Sequence, residues 1–319
     1  MLIPRYWSRA ESQATTPAGK PVRFHVWRGS RSSAADAQTL ADEAVARIAE
    51  RIRRGDGFPE RYAYGDRPLR EEVVRELPGS AGADAPDAAI TRNSYGALVL
   101  NAAHAFFIDV DVPRAEEPSA PVPAANPAAA LWGVLDSLPL PGALRSITDS
   151  FRPPSGSGAG APASPADPAA AALDKLRRWV AGHPGWRVRV YRTFAGLRYL
   201  VTHAPFSPQD PEVQAAMAAL GADPQYIRLC QVQKSFRARL TPKPWRIGVP
   251  NPPTGFPFES AAAEQAMRQW ESRYALASEG RATCHFVEEL GGGAEHPDIA
   301  PLRALHDEQT RATSGLALA

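Results

Sequence analysis

Two carboxylates, two residues apart, close an apolar run: Ala105-Phe106-Phe107-Ile108-Asp109-Val110-Asp111-Val112. Side chains on a strand alternate with period two, so Asp109 and Asp111 are expected on one face at neighbouring heights. A buried strand ending in two same-face carboxylates needs a cation beside it. A divalent metal, Mg2+ or Mn2+ with phosphate oxygens completing its shell, meets that need. Asp109 and Asp111 are then candidate metal ligands and catalytic groups. The alternative is a strand end that emerges into water with both carboxylates exposed.

A second stretch, Val190-Tyr191-Arg192-Thr193-Phe194-Ala195-Gly196-Leu197-Arg198, combines a glycine-containing turn with a hydroxyl and two guanidinium forks. Backbone amides at such a turn approach an anion closely, so Arg192, Thr193, Gly196 and Arg198 are candidate phosphate-binding residues. The third runs from Arg228 to Arg246 and holds six basic residues and no acid, with Phe236 and Trp245 between them. If this segment is extended, Arg237 and Arg239 share a face, and with Lys243 they make a candidate phosphate-binding set for a nucleotide or nucleic acid. The competing reading makes these cations the counter-charges of acidic residues elsewhere in the fold. His203, at the end of an apolar strand face, is a candidate ligand or proton carrier. Cys284-His285 and His306-Asp307-Glu308 lack ligand spacing and are expected to be structural. No Gly-x-Ser-x-Gly elbow and no Gly-Lys-Ser/Thr phosphate loop occurs.

The elements that must position these residues can be read from periodicity and caps. A hairpin is expected from Arg5 to Trp27 around Thr16-Pro17-Ala18-Gly19-Lys20, then a helix capped by Ser33 and stopped by Gly55. A second helix is expected from Asp66 to about Leu77, followed by strands at Ala89–Arg92, Gly96–Asn101 and Ala105–Val112 whose tight turns imply antiparallel neighbours. Residues 113–168, rich in proline and small residues, read as a flexible insertion whose island Ala129–Phe151 could form a short helix or two. Beyond it come a helix from Asp167-Pro168 to about Val180, the hairpin Trp186–Arg192 with Leu197–His203, and helices at Pro211–Leu220 and after Asp223-Pro224. A helix at Ser260–Ser278, a strand at Thr283–Val287 and a closing helix from Asp298 follow. This order fits an α+β fold with antiparallel or mixed sheets and packed helices, in three parts: 1–112, the insertion 113–168, and a basic half 169–319.

The totals bound the function class. The chain has 319 residues, 44% of them hydrophobic, enough for a substantial core. Its two cysteines, Cys230 and Cys284, form no spaced pair, which excludes a disulfide framework or a cysteine zinc site and suits a reducing cytoplasm. No run of eighteen apolar residues and no signal-peptide core is present, so no membrane partner is expected. The net charge of +2 hides an asymmetry: Lys175–Phe258 carries thirteen basic and three acidic residues. That segment is about +10 and the remainder about −8, which makes a polyanion a plausible partner.

Taken together, these motifs resemble the archaeo-eukaryotic primases over residues 95–246. That family has an apolar strand ending in Asp-x-Asp, similar to Phe106–Asp111, and a later Ser-Gly-x-Gly-x-His phosphate hairpin. Thr193-Phe194-Ala195-Gly196-Leu197-Arg198 is similar in spacing, with threonine for the serine and Arg198 at the histidine position. Arg237, Arg239 and Lys243 resemble the family's basic phosphate strand. The resemblance implies a primase-like, RRM-like core and a metal-dependent protein that handles nucleotides or nucleic acid, a divergent or inactive nucleotidyltransferase. Two alternatives remain. The haloacid-dehalogenase phosphatases share the Asp-x-Asp strand, and a non-catalytic nucleic-acid-binding or scaffolding protein needs only the basic segment.

Overall fold

A computed structural model describes residues 1–56, 69–77, 87–112 and 168–319. The expected island Ala129–Phe151 lies outside these residues. The chain opens with the antiparallel hairpin β1 (Tyr6–Thr15) and β2 (Pro21–Ser30), covered by helix α1 (Ala34–Arg54). The Ser33 hydroxyl accepts the Asp36 amide at 3.0 Å, and Gly55 ends the helix in the left-handed region. Ala41, Ala44 and Val45 of α1 bury themselves against Ala10 and Val26 of the hairpin.

Two four-stranded sheets carry the centre of the molecule. One runs β3 (Glu72–Leu77), β4 (Ala88–Arg92), β5 (Leu98–Ala102), β9 (Phe236–Arg239). The other runs β10 (Cys284–Leu290), β7 (Val188–Thr193), β8 (Gly196–Val201), β6 (Phe106–Asp111). Every strand pair in both is antiparallel. Helices α2 (Pro168–Ala181), α3 (Pro211–Leu220), α4 (Pro224–Gln233), α5 (Ala261–Ser278) and α6 (Ala300–Thr310) complete an α+β architecture. Residues on both sides of the 113–168 segment build one core, in which Phe106, Phe107 and Ile108 meet Leu176, Leu200 and Phe236. Among the described residues no helix is long and apolar enough to cross a membrane.

Two local expectations are corrected. Glu72–Leu77, expected as the end of a helix, is the edge strand β3. The adjacent Val73 and Val74 are β-branched and stiff at χ1, and pairing with β4 outweighs the proline-and-cap signal upstream. Consecutive strands β5 and β6 also fail to pair: β5 takes β9 as its partner and β6 takes β8. The chain therefore steps from one sheet to the other at Ala103–Ala105, which brings β9 close to the Asp-x-Asp strand.

Candidate anion-binding site

Strand register decides the fate of the carboxylates. Asp109 stands directly opposite Arg198 in the β6–β8 ladder, and Asp111 stands opposite Gly196. The Arg198 guanidinium grips Asp109 with two bonds, Nε to Oδ1 at 2.6 Å and Nη2 to Oδ2 at 2.8 Å. The cation that the buried strand needs is thus an arginine of the neighbouring strand. Arg198 is 2% exposed, with Nη1 donating to the Arg239 carbonyl at 2.8 Å and facing His306 Nε2 at 3.3 Å. Burial alone would lower its pKa, but Asp109 overrides this and holds the guanidinium firmly charged. Arg198 is a candidate phosphate ligand in the sequence; all three of its nitrogens are committed to partners inside the protein. Among the described residues no group of three or more His, Cys, Asp or Glu side chains is placed to hold a metal.

The same network fixes His306 and Asp307. Because His306 Nε2 faces a guanidinium N–H, it must accept, so the ring proton sits on Nδ1 and is donated to Asp307 Oδ1 at 3.3 Å. Asp307 also accepts from the Tyr191 hydroxyl at 2.6 Å and from Arg189 at 2.8 Å. Burial pushes the His306 imidazole down to about 4, against the pull of Asp307. A folded value below the unfolded one of 6.5 means that the unfolded chain binds more protons between these two values. His306 should therefore reduce stability as pH falls from 6.5 to 4, by about 3 kcal/mol over the window, with nothing lost above it. Urea unfolding across this range checks the slope, which should flatten in His306→Gln.

Gly196 is required by strand packing. A Cβ there would sit 2.0 Å from the Val110 carbonyl oxygen, so the glycine lets β8 approach β6. This close approach accounts for the glycine by packing. Thr193 and Arg192 lie half-buried at the end of β7, and Arg192 makes no ion pair among the described residues.

Arg237, expected to hold phosphate beside Arg239, is internal. It reaches Glu71 with bonds of 2.8 and 3.0 Å and bonds Asn101, its cross-strand neighbour on β5. Thr91 closes the set, donating to Glu71 and accepting from Asn101 at 2.8 Å. Arg177, Arg187 and Arg189 likewise pair with Glu288, Glu289 and Asp307. Five of the thirteen basic residues of Lys175–Phe258 are thus counter-charges of carboxylates elsewhere in the fold.

Arg239 and Lys243 escape this neutralisation. Half-buried Arg239 donates to the Thr241 carbonyl at 2.9 Å and has no carboxylate partner among the described residues. Burial lowers its pKa. Lys243 is lowered by burial and by the charges of Arg246 and Arg239, with Asp111 acting the other way. The Lys243 ammonium lies 5.4 Å from the centre of the Trp245 ring, and the Arg246 guanidinium lies 3.9 Å from that of Phe194. Trp245 is 54% exposed and meets Tyr95 edge-on at 5.4 Å. Tyr95 is carried there by the β4–β5 turn, where Gly96 has φ of 88° and leaves its Cβ space to the Trp270 ring. Cationic groups, an exposed indole and one nearby carboxylate therefore converge beyond the C-terminal ends of β6 and β9.

His203 is placed elsewhere, at the far end of β8, where Nδ1 accepts the Arg187 amide at 3.2 Å. Burial lowers its pKa. Sequence reasoning missed Glu71 and Asn101, and it expected His306 and Asp307 as structural residues without naming their partners. Each is remote from its arginine in the chain, so no local spacing signals the pairing.

Comparison with protein-family models, with curated proteins and with solved structures finds no match for this chain.

Proposed function

We propose that the protein binds a phosphate-bearing nucleotide through Arg239 and Lys243, with the base against Trp245. The observation that supports this reading best is Arg239, which is half-buried beside Lys243 and has no carboxylate partner among the described residues. A cation in that setting gains from an anion as ligand. Five other basic residues of the segment, Arg177, Arg187, Arg189, Arg198 and Arg237, are already paired with carboxylates within the fold. A few cations and one indole suit a nucleotide better than a long strand, which would need an extended basic track.

A second reading keeps the primase-like resemblance in full and makes the protein a metal-dependent nucleotidyltransferase. Asp111 favours it, being exposed at the strand end with a glycine opposite and Lys243 close by. It requires Asp109 to exchange Arg198 for a metal. The phosphatase reading requires Asp109 free as a nucleophile, and the two-point grip of Arg198 opposes this.

Calorimetry with a nucleoside triphosphate, a single-stranded oligonucleotide and a duplex, each with and without Mg2+, tests the proposal. The triphosphate should bind the native chain, weaken about tenfold or more in Arg239→Ala, and weaken about five- to a hundredfold in Trp245→Ala. A log–log salt slope near 0.7 per phosphate, together with preference for the single strand, would point to a nucleic-acid strand instead. Strict dependence on Mg2+, lost in Asp111→Asn, would favour the catalytic reading. If nothing binds more tightly than about 1 mM, near 4 kcal/mol, the phosphate reading fails.

A further inference from the structure

At the other end of the β6–β8 pair, six residues and ~20 Å from the cation cluster, lies a cavity of about 380 Å3. The last turn of α2 and the turn after it supply Trp179, His183 and Trp186, the end of β8 leads into His203 and Phe206, and Phe106 of β6 adds a further ring. His183 stacks on Trp179 with ring centres 4.2 Å apart, and His183 and His203 each lie 5.5 Å from the Trp186 ring. Both imidazoles therefore lie against one indole.

Their tautomers are set by the backbone, and they are opposite. His183 Nδ1 lies 2.7 Å from the Trp179 carbonyl, which can only accept, so the proton is on Nδ1 and Nε2 carries a lone pair. His203 Nδ1 accepts the Arg187 amide, so its proton is on Nε2. Of the two imidazoles that line the cavity, His183 thus carries an acceptor and His203 a donor at Nε2, among aromatic side chains. A metal is a poor occupant, since His203 Nε2 carries a hydrogen and its lone pair on Nδ1 is already used. The Trp179 indole N–H, in the same wall, is buried without a hydrogen bond among the described residues. Asp210, which caps α3, and Glu212 stand at the rim and disfavour an anion.

We infer that this cavity binds a neutral, planar nitrogen heteroaromatic ring, such as a purine base or its nucleoside, stacked on Trp186 and held between His183 Nε2 and His203 Nε2. The site is independent of the proposed nucleotide site, and its rim carboxylates select against a phosphorylated ligand. It fits the size range of small-molecule sites, about 300–1,000 Å3.

Titration of the intact chain with adenine, adenosine, adenosine monophosphate and indole, followed by tryptophan fluorescence and by imidazole 15N shifts, tests it. Adenine and adenosine should quench the indole emission and shift both imidazole signals. Adenosine monophosphate should bind this cavity at least tenfold more weakly than adenosine, including in Arg239→Ala, where the other site is disabled. His183→Phe and His203→Phe should each weaken adenosine about tenfold. The native 15N spectrum should show His183 protonated at Nδ1 and His203 at Nε2. Failure of adenine and adenosine to bind in the millimolar range, unchanged affinity in both variants, or reversed tautomers would overturn the inference. Loss of triphosphate binding in Arg239→Ala alone would leave adenosine binding here intact, which separates the two sites.

Discussion

Asp109→Ala should destabilise the protein by about 3 kcal/mol or more, whereas Asp111→Ala should change stability by no more than about 0.5 kcal/mol. Removing the Asp109 carboxylate leaves Arg198, 2% exposed, as a buried charge whose remaining contacts are a carbonyl and an imidazole. Asp109 itself keeps a side-chain exposure of 36%, so water can partly replace it, which places the loss at the lower end of the range for broken buried pairs. Asp109→Asn, which retains one acceptor, should lose less. Replacing both partners, Asp109→Leu with Arg198→Met, should recover most of the stability, because an apolar pair avoids the desolvation of two charges. Urea midpoints at pH 7 check all four. Equal, small effects of Asp109→Ala and Asp111→Ala would show that Arg198 does not depend on Asp109.

The second large effect is expected at Arg237. Arg237→Met should lose about 3–5 kcal/mol, since Glu71 is then a carboxylate 6% exposed with no cation among the described residues, and Asn101 loses its cross-strand donor. The loss should shrink towards acid pH, where an unpaired buried carboxylate takes up a proton and sheds its charge. Denaturant titrations of native and variant chains at pH 7 and pH 5 give the difference. A loss that is small at pH 7, or that grows on acidification, would contradict the account. Arg237 and Arg239 therefore need separate substitution: Arg239→Ala reports on the anion site, and the Arg237 variant reports on the core.

Local signals were sufficient for most elements. The hairpin around Thr16–Lys20, the Ser33 cap with its Gly55 stop, and the aspartate-proline starts of α3 and α4 depend on neighbours in sequence, and the structure places them as expected. Turn chemistry and caps act over a few residues, so the chain alone specifies them. The α+β class followed from the same reading, from alternating runs joined by short turns.

What only the tertiary structure decided was which strand meets which. The Asp-x-Asp run is a strand in any fold, but the occupant of Asp109 depends on β8 arriving with Arg198 in register from 89 residues downstream. Likewise Arg237 looks as free as Arg239 in the sequence, two residues apart on one strand. Pairing of β9 with β5 sets Arg237 against Asn101 and Glu71, and leaves Arg239 without a carboxylate partner among the described residues. Charge composition is a local sum, whereas neutralisation acts over a few ångströms between chain segments far apart in sequence. A basic stretch therefore determines how many cations a fold must place, and the strand register determines which of them stay available to a ligand.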